Sequence, residues 1–285
     1  MGGVNEIPRN NSQYMQKFKI MSDSSDATVD DARPSIGRAL GILDLFTVKA
    51  PSWTAEQICE ERRLSIPTGY RYIRELVAAG LLARGSGGRY SLGPRIIALD
   101  YTIRQSDPLL HVAAPVMRDL VRRTGCACVI STLLGDQILD THRESGAEPL
   151  TLAYGRGRSR PMFYGAAPKV ILADQSTAWL HRIYDSRAAE IVAANMGNDW
   201  ATFRRGLAEI RRQGFYVSRG ELEANLSAVA APIRIAEQDT LSAVALVTSS
   251  ERFELLDVAQ LAALVKQGSQ EIATAMLVDR GAQGT

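Results

Sequence analysis

Three cysteines in 285 residues, Cys59, Cys126 and Cys128, are too few and too odd in number for a disulfide scaffold, and their spacing is not that of a metal site. Cys126 and Cys128, two apart on a strand, would share one face rather than meet each other. All three read as reduced core residues. No apolar run approaches the roughly 20 residues that cross a bilayer; the longest, Leu226 to Ala231 and Leu241 to Val247, have the length of strands. The amino terminus lacks an apolar signal core, and Glu6 stands where a myristoylation signal after Gly2 needs Ser or Thr. The expected location is the cytoplasm, with no membrane partner.

Chemistry is also scarce. His111, His142 and His181 are widely separated, and no P-loop, Gly-x-Ser-x-Gly elbow or His-Glu-x-x-His sequence occurs. Ser218 stands near Arg219 and Glu221 without a base at a useful spacing. No enzyme activity, cofactor or metal is expected.

What is present is an ordinary globular balance, 46% hydrophobic and 22% charged, long enough for two domains. The net charge of +2 is unevenly distributed. Between Ser35 and Ala98 nine Lys and Arg face five acids, an excess of +4, whereas the segments before and after each carry −1. A local basic excess suits a polyanion such as DNA. Residues 1–34, rich in Ser and Asp, read as a disordered tail.

From Ser35 the apolar spacing of Ile36, Ala39, Leu40, Leu43 and Phe46 marks a first helix. Thr54 and Gln57 have the spacing of a capping box, opening a second helix that buries Ala55, Ile58 and Cys59. A third begins after Ser65, a candidate N-cap, tolerates Pro67 in its first turn and ends at Gly80. Leu81–Arg84, the turn Gly85-Ser86-Gly87-Gly88 and Arg89–Leu92 form a hairpin. Because Gly85–Gly88 leads into a strand, it is a wing tip and not a dinucleotide loop. Together these are the parts of a winged helix-turn-helix over residues 35–93.

With Ile66 at 0° and about 100° per residue, Gly69, Tyr70, Ile73, Leu76 and Val77 fall on one face and are expected to be buried. Thr68, Arg71, Tyr72 and Glu75 fall opposite, with Arg74 on the flank. An Arg there can donate two hydrogen bonds to guanine O6 and N7. Thr68, Arg71, Tyr72 and Arg74, with Arg84 and Arg89 of the wing, are the candidate DNA-binding residues.

Residues 94–107 read as a linker helix carrying Ile96, Ile97, Leu99 and Ile103. Residues 108–285 alternate helices with strands: a helix from Pro108 to Arg123, an apolar hairpin turning at Gly135-Asp136, a Gly/Arg-rich loop from Gly155 to Arg160, and the strand pair Leu226–Ile235 and Leu241–Thr248. Further helices are expected near Lys169–Ala173, Ala188–Met196, Trp200–Gln213 and Asp257–Val278. The order indicates an α+β domain with an antiparallel sheet.

Three segments carry a family resemblance. Ser35-Ile36-Gly37-Arg38-Ala39-Leu40 with Leu64–Arg71 and Tyr90-Ser91-Leu92-Gly93, then Pro161–Ala173, then Gly214–Glu223 with Ser227–Pro232 resemble, in this order, the IclR family of bacterial transcriptional regulators. Ile66, Pro168 and Asn225 depart from the family's usual Lys, Gly and Gly. The resemblance implies an amino-terminal winged helix-turn-helix that binds operator DNA and a carboxy-terminal, GAF-like domain with an antiparallel sheet and flanking helices that senses a small molecule. It also implies self-association as a homodimer or homotetramer.

By the same resemblance Met162, Tyr164, Ser218, Leu226, Ala228, Ala245 and Val247 surround the effector; strand alternation alone puts Leu226 with Ala228, and Ala245 with Val247. Apolar walls with few polar groups favour an aromatic or similarly apolar organic acid, with Arg156, Arg158 or Arg160 a candidate carboxylate partner. Two rivals stand beside this reading: an enzyme of GAF-like fold with a nucleic-acid-binding appendage, and a DNA-binding structural protein that takes no ligand. The large carboxy-terminal domain, without basic excess, favours the sensor.

Overall fold

The computed structural model describes residues 34–150, 156–157, 159–235 and 242–283, with side chains as far as 278. The expected tail, Arg158 and Leu241 therefore lie outside the described residues, apart from Pro34. The chain divides into two compact units after Ser106, so the helix read as a linker belongs to the first.

The first unit runs α1 (Ser35–Gly41), a 3-10 turn (Ile42–Leu45), β1 (Trp53–Thr54), α2 (Ala55–Glu61), α3 (Ile66–Ala78), β2 (Leu82–Arg84), β3 (Arg89–Leu92) and α4 (Pro94–Ser106). The three strands form an antiparallel sheet in the order β1-β3-β2. The capping box forms as its spacing indicates: Thr54 accepts from the Gln57 N–H and the Gln57 side chain from the Thr54 N–H. Ser65 occupies the N-cap position of α3 but its side chain does not cap; its hydroxyl donates to Thr68 Oγ1 at 2.9 Å.

The buried face of the first helix differs from expectation. Ile36 is 72% exposed and Leu40 is also exposed, while Ile42 is fully buried. The α-helix stops at Gly41 and tightens to a 3-10 turn, so a 3.6-residue period extended from 36 to 46 loses phase. Ile42 joins Ile58, Tyr72, Ile73, Leu76 and Leu82 in the core of this unit.

Two glycines fix how the pieces meet. A Cβ at Gly69 would lie 2.2 Å from Cys59 Sγ, so α2 and α3 cross in contact there. A Cβ at Gly93 would lie 2.2 Å from the Gly80 carbonyl oxygen. The Gly93 N–H donates to Leu81 O at 2.8 Å and the Arg95 N–H to Gly80 O at 3.1 Å, binding the start of α4 to the end of α3.

The second unit contains α5 (Pro108–Thr124), β4 (Ala127–Leu134), β5 (Gln137–Glu144), β6 (Ser159–Arg160), α6 (Ala166–Ala173), α7 (Thr177–Ala193), α8 (Trp200–Gln213), β7 (Tyr216–Arg219), β8 (Leu226–Ile233), β9 (Ser242–Ser249), α9 (Ser250–Phe253) and α10 (Val258–Gln283). The strands form one antiparallel sheet, β6-β5-β4-β9-β8-β7. On one face Val129, Ala243 and Ala245 pack with Phe163, Ile171 and Phe203 of the α6–α8 side. On the other, Cys126, Cys128 and Ile130 pack with Met117, Leu120, Val265 and Ile272 of α5 and α10. The two cysteines thus share a face, as their spacing requires, and all three thiols are free and buried. α7 starts earlier than the apolar pattern indicates, and Arg187 breaks its helical geometry.

Candidate nucleic-acid interface and small-molecule cavity

Helix α3 buries Gly69, Tyr72, Ile73 and Leu76. Tyr72, expected on the open face, is only 6% exposed, whereas Tyr70 and Ile66, expected inside, are exposed. The phase was set on Ile66, which sits in the first turn beyond the core; a tyrosine serves equally in a core or at a surface. Tyr72 is therefore a core residue and not a base contact. The corrected phase leaves Arg71 and Arg74 near the centre of the solvent face. Both are exposed; the Arg71 guanidinium lies 5.4 Å from the Tyr72 ring centroid, and Arg74 reaches Glu75 at 3.4 Å.

Around this face the other candidates are placed differently. Thr68 is half-buried. The Tyr70 hydroxyl donates to Glu56 at 2.6 Å, which holds the Glu56 carboxyl below its usual range. Arg84 is exposed at the end of β2. Arg89 is tied to the loop before β1, its Nε donating to Ser52 Oγ at 2.8 Å and its Nη2 to Ser52 O at 2.5 Å. It braces β3 and the Ser52 loop.

In the second unit a cavity of about 40 Å³ opens between the sheet and the amino end of α6. Ser218, Leu226, Ala228, Ala245 and Val247, named from the sequence, line it together. They converge because Ser218 pairs with Ala228, and Ala228 with Val247, across neighbouring strands. Met162 is instead buried in the core and Tyr164 packs against that core; neither lines the cavity. The walls are less apolar than the strand residues alone indicate, since Asp140, Arg160 and Glu223 also contribute.

Arg160 and Asp140 form a nearly dry ion pair. Nη1 donates to Oδ1 at 2.9 Å and to Oδ2 at 3.2 Å, with Asp140 3% exposed and also accepting from Ser131 Oγ at 2.7 Å. Among the described residues nothing accepts from the buried Arg160 Nε. The N-cap residue of α6, Gly165, has no side chain to cap the helix, and Gly165, Ala166 and Ala167 form part of the wall. Arg156, the other described arginine of the loop, donates to the Thr141 carbonyl.

A second buried charge network was not foreseen from the sequence. Lys169 lies inside the wholly buried helix α6, its side chain 8% exposed, with Nζ 2.7 Å from Glu221 Oε2 and 3.1 Å from the Tyr216 hydroxyl. That hydroxyl donates to Glu221 Oε1 at 2.8 Å, and Glu221 Oε2 also accepts from the Gly165 N–H at 3.0 Å. A lone lysine in an apolar helix demands a buried partner, which is the signal available in the sequence; the identity of the partner, 52 positions on, is not. Among the described residues no group of three or more His, Cys, Asp or Glu could hold a metal, and no helix is long and apolar enough to cross a membrane.

Comparison with known proteins agrees with both halves. Residues 35–86 match the model of the IclR helix-turn-helix domain, and residues 102–274 match that of the bacterial transcriptional regulator IclR C-terminal domain. The chain is 26% identical over 255 residues to the HTH-type transcriptional regulator XynR of Escherichia coli, covering 85% of this chain and 96% of that protein. It is 25% identical over 215 residues to the Pca regulon regulatory protein of Pseudomonas putida, covering 75% and 74%. Among solved structures, a transcriptional regulator from a Rhodococcus species superposes with a TM-score of 0.72 at 24% identity, covering 86% of this chain and 98% of that one. An IclR homologue from Microbacterium hydrocarbonoxydans, complexed with 4-hydroxybenzoate, superposes with a TM-score of 0.70 at 23% identity, covering 86% and 100%. The chain belongs to the IclR family of bacterial transcriptional regulators, which are not enzymes and which join a DNA-binding helix-turn-helix to an effector-binding carboxy-terminal domain.

Proposed function

We propose that this regulator senses an organic acid, aromatic or similarly apolar, in the cavity between α6 and the sheet. The observation that carries the reading is Arg160: a buried guanidinium with an Nε donor that Asp140 leaves unused, lining the cavity together with apolar strand residues and the amino end of α6. Guanidinium donors and helix amino ends both suit a carboxylate. Ala228, Ala245 and Val247 offer the rest of the molecule no polar partner. The homologue complexed with 4-hydroxybenzoate supports the same ligand class. At about 40 Å³ the cavity, partly open to solvent, has room for only a few water molecules at about 10–15 Å³ each. Effector entry therefore displaces the half-buried Leu222, Glu223 and Leu226 of its wall.

On the DNA side we infer that Arg71 and Arg74 read bases while Thr68, Arg84 and Arg89 position the backbone, on a partly palindromic site bound by a dimer or a pair of dimers. Ile36 and Leu40 on α1 and Ile97 and Tyr101 on α4 are exposed apolar side chains that self-association would cover. A thermal-shift panel of acids on the full-length protein tests the effector reading, since a ligand raises the melting temperature by mass action. Benzoate-class acids should stabilise the wild type, and Ala228→Phe should lose that shift while keeping operator affinity. Stabilisation by glyoxylate-sized acids alone would refute an apolar ligand.

A further inference from the structure

Remote from the cavity, four cations from three elements surround a concave groove of about 420 Å³. Arg211 and Arg212 stand in the last turn of α8, Arg234 just past β8, and Lys266 on α10. Part of this charge serves the carboxyl end of α8: Lys266 Nζ donates to Gln213 O at 3.3 Å and Arg234 Nη2 to Arg211 O at 3.4 Å. A helix end, however, counts as only about half a negative charge.

Two carboxylates also answer the cations. Asp174, 3% exposed, takes Arg234 Nε at 2.5 Å and Nη2 at 2.9 Å and lies 3.5 Å from Arg211. Glu209 accepts from both Arg212 Nε, at 3.0 Å, and Arg212 Nη2, at 2.6 Å. Among the described residues, these carboxylates and the helix end, set against four cations, leave an excess of about one and a half positive charges. The excess sits in a domain, residues 107–285, whose formal net charge is −1. Asp174 also fixes the direction of the Arg234 fork, so the site is pre-organised on one side.

We propose that this groove binds a small molecule bearing phosphate or another doubly charged anionic group, at a site separate from the effector cavity. A concavity of this volume falls in the range of small-ligand sites, about 300–1,000 Å³. The forks of Arg234 and Arg212 are engaged by Asp174 and Glu209, so a phosphate would meet the Arg211 guanidinium, Lys266 and the outer donors of the other two arginines. The residual charge is what a dianion would neutralise.

Calorimetric titration of the full-length protein with inorganic pyrophosphate at low salt tests the proposal. Arg212→Gln combined with Lys266→Gln removes two groove cations without stranding the buried Asp174. Wild type should bind pyrophosphate, the double variant should bind at least tenfold more weakly with its melting temperature preserved, and Arg71→Ala should bind like wild type. The proposal is overturned by absence of binding at millimolar pyrophosphate or by undiminished binding to the double variant. Loss of binding in Arg71→Ala, or displacement of pyrophosphate by operator duplex, would equally overturn it, marking a contact for the DNA backbone instead.

Discussion

Neighbouring residues on α3 should respond to alanine in opposite ways. Arg71 is exposed at the centre of the solvent face, and its contact with the Tyr72 ring is worth about 0.5–1 kcal/mol at such a site. Removing it should leave the protein folded with at most that loss of stability. Losing a bidentate base contact costs about 1–3 kcal/mol, which is about 5- to 150-fold in operator affinity. Tyr72 is 6% exposed within a small core, and truncating a buried aromatic costs about 3–5 kcal/mol. Tyr72→Ala should therefore unfold the first unit at much lower denaturant. Urea denaturation followed by circular dichroism, with anisotropy titration of a labelled operator at fixed salt, separates the two effects. Unchanged affinity in Arg71→Ala, or a stable Tyr72→Ala that has lost only DNA binding, would show that the burial-based phase of the helix is wrong.

The crossing of α2 and α3 can be tested with one methyl group. Gly69→Ala sets a Cβ 2.2 Å from Cys59 Sγ and should destabilise by about 1–3 kcal/mol through overpacking. Adding Cys59→Ala removes the sulfur and should restore most of the loss; a Gly69→Ala protein as stable as wild type would contradict the contact. Burial raises the pKa of the Cys59, Cys126 and Cys128 thiols, keeping them protonated. Because only the thiolate is nucleophilic, iodoacetamide at about pH 8 should modify none of them in the folded protein and all three in denaturant. Rapid native labelling of Cys126 or Cys128, read by mass spectrometry, would place the strand-face assignment in error.

Features whose cause is local were legible in the sequence. The capping box at Thr54 and Gln57, the stop at Gly80 and the glycine turn of the wing each draw on a few adjacent residues. Strand alternation likewise put Leu226 with Ala228 and Ala245 with Val247, and all four line one cavity; that they and Ser218 share it was implied by the family resemblance and not by spacing. The phase of α3 failed because its buried arc begins only at Gly69, and Ile66 was a misleading origin. The two-residue strand β1 is too short to show a period. Asp140–Arg160 and Lys169–Glu221 pair across 20 and 52 positions through strand and helix packing, which no local spacing encodes. The cavity's small volume depends on how closely the 220–226 turn approaches α6, again a tertiary matter.

The junction at Gly93 has a mechanical consequence. Its Cα lies so near the Gly80 carbonyl that no side chain fits, and hydrogen bonds from Gly93 and Arg95 bridge the same gap. A hinge needs slack, and this joint has none. The first turn of α4 and the last turn of α3 thus form a welded elbow, and a torque applied along α4 turns the helix bearing Arg71 and Arg74 as one lever instead of dissipating at the bend.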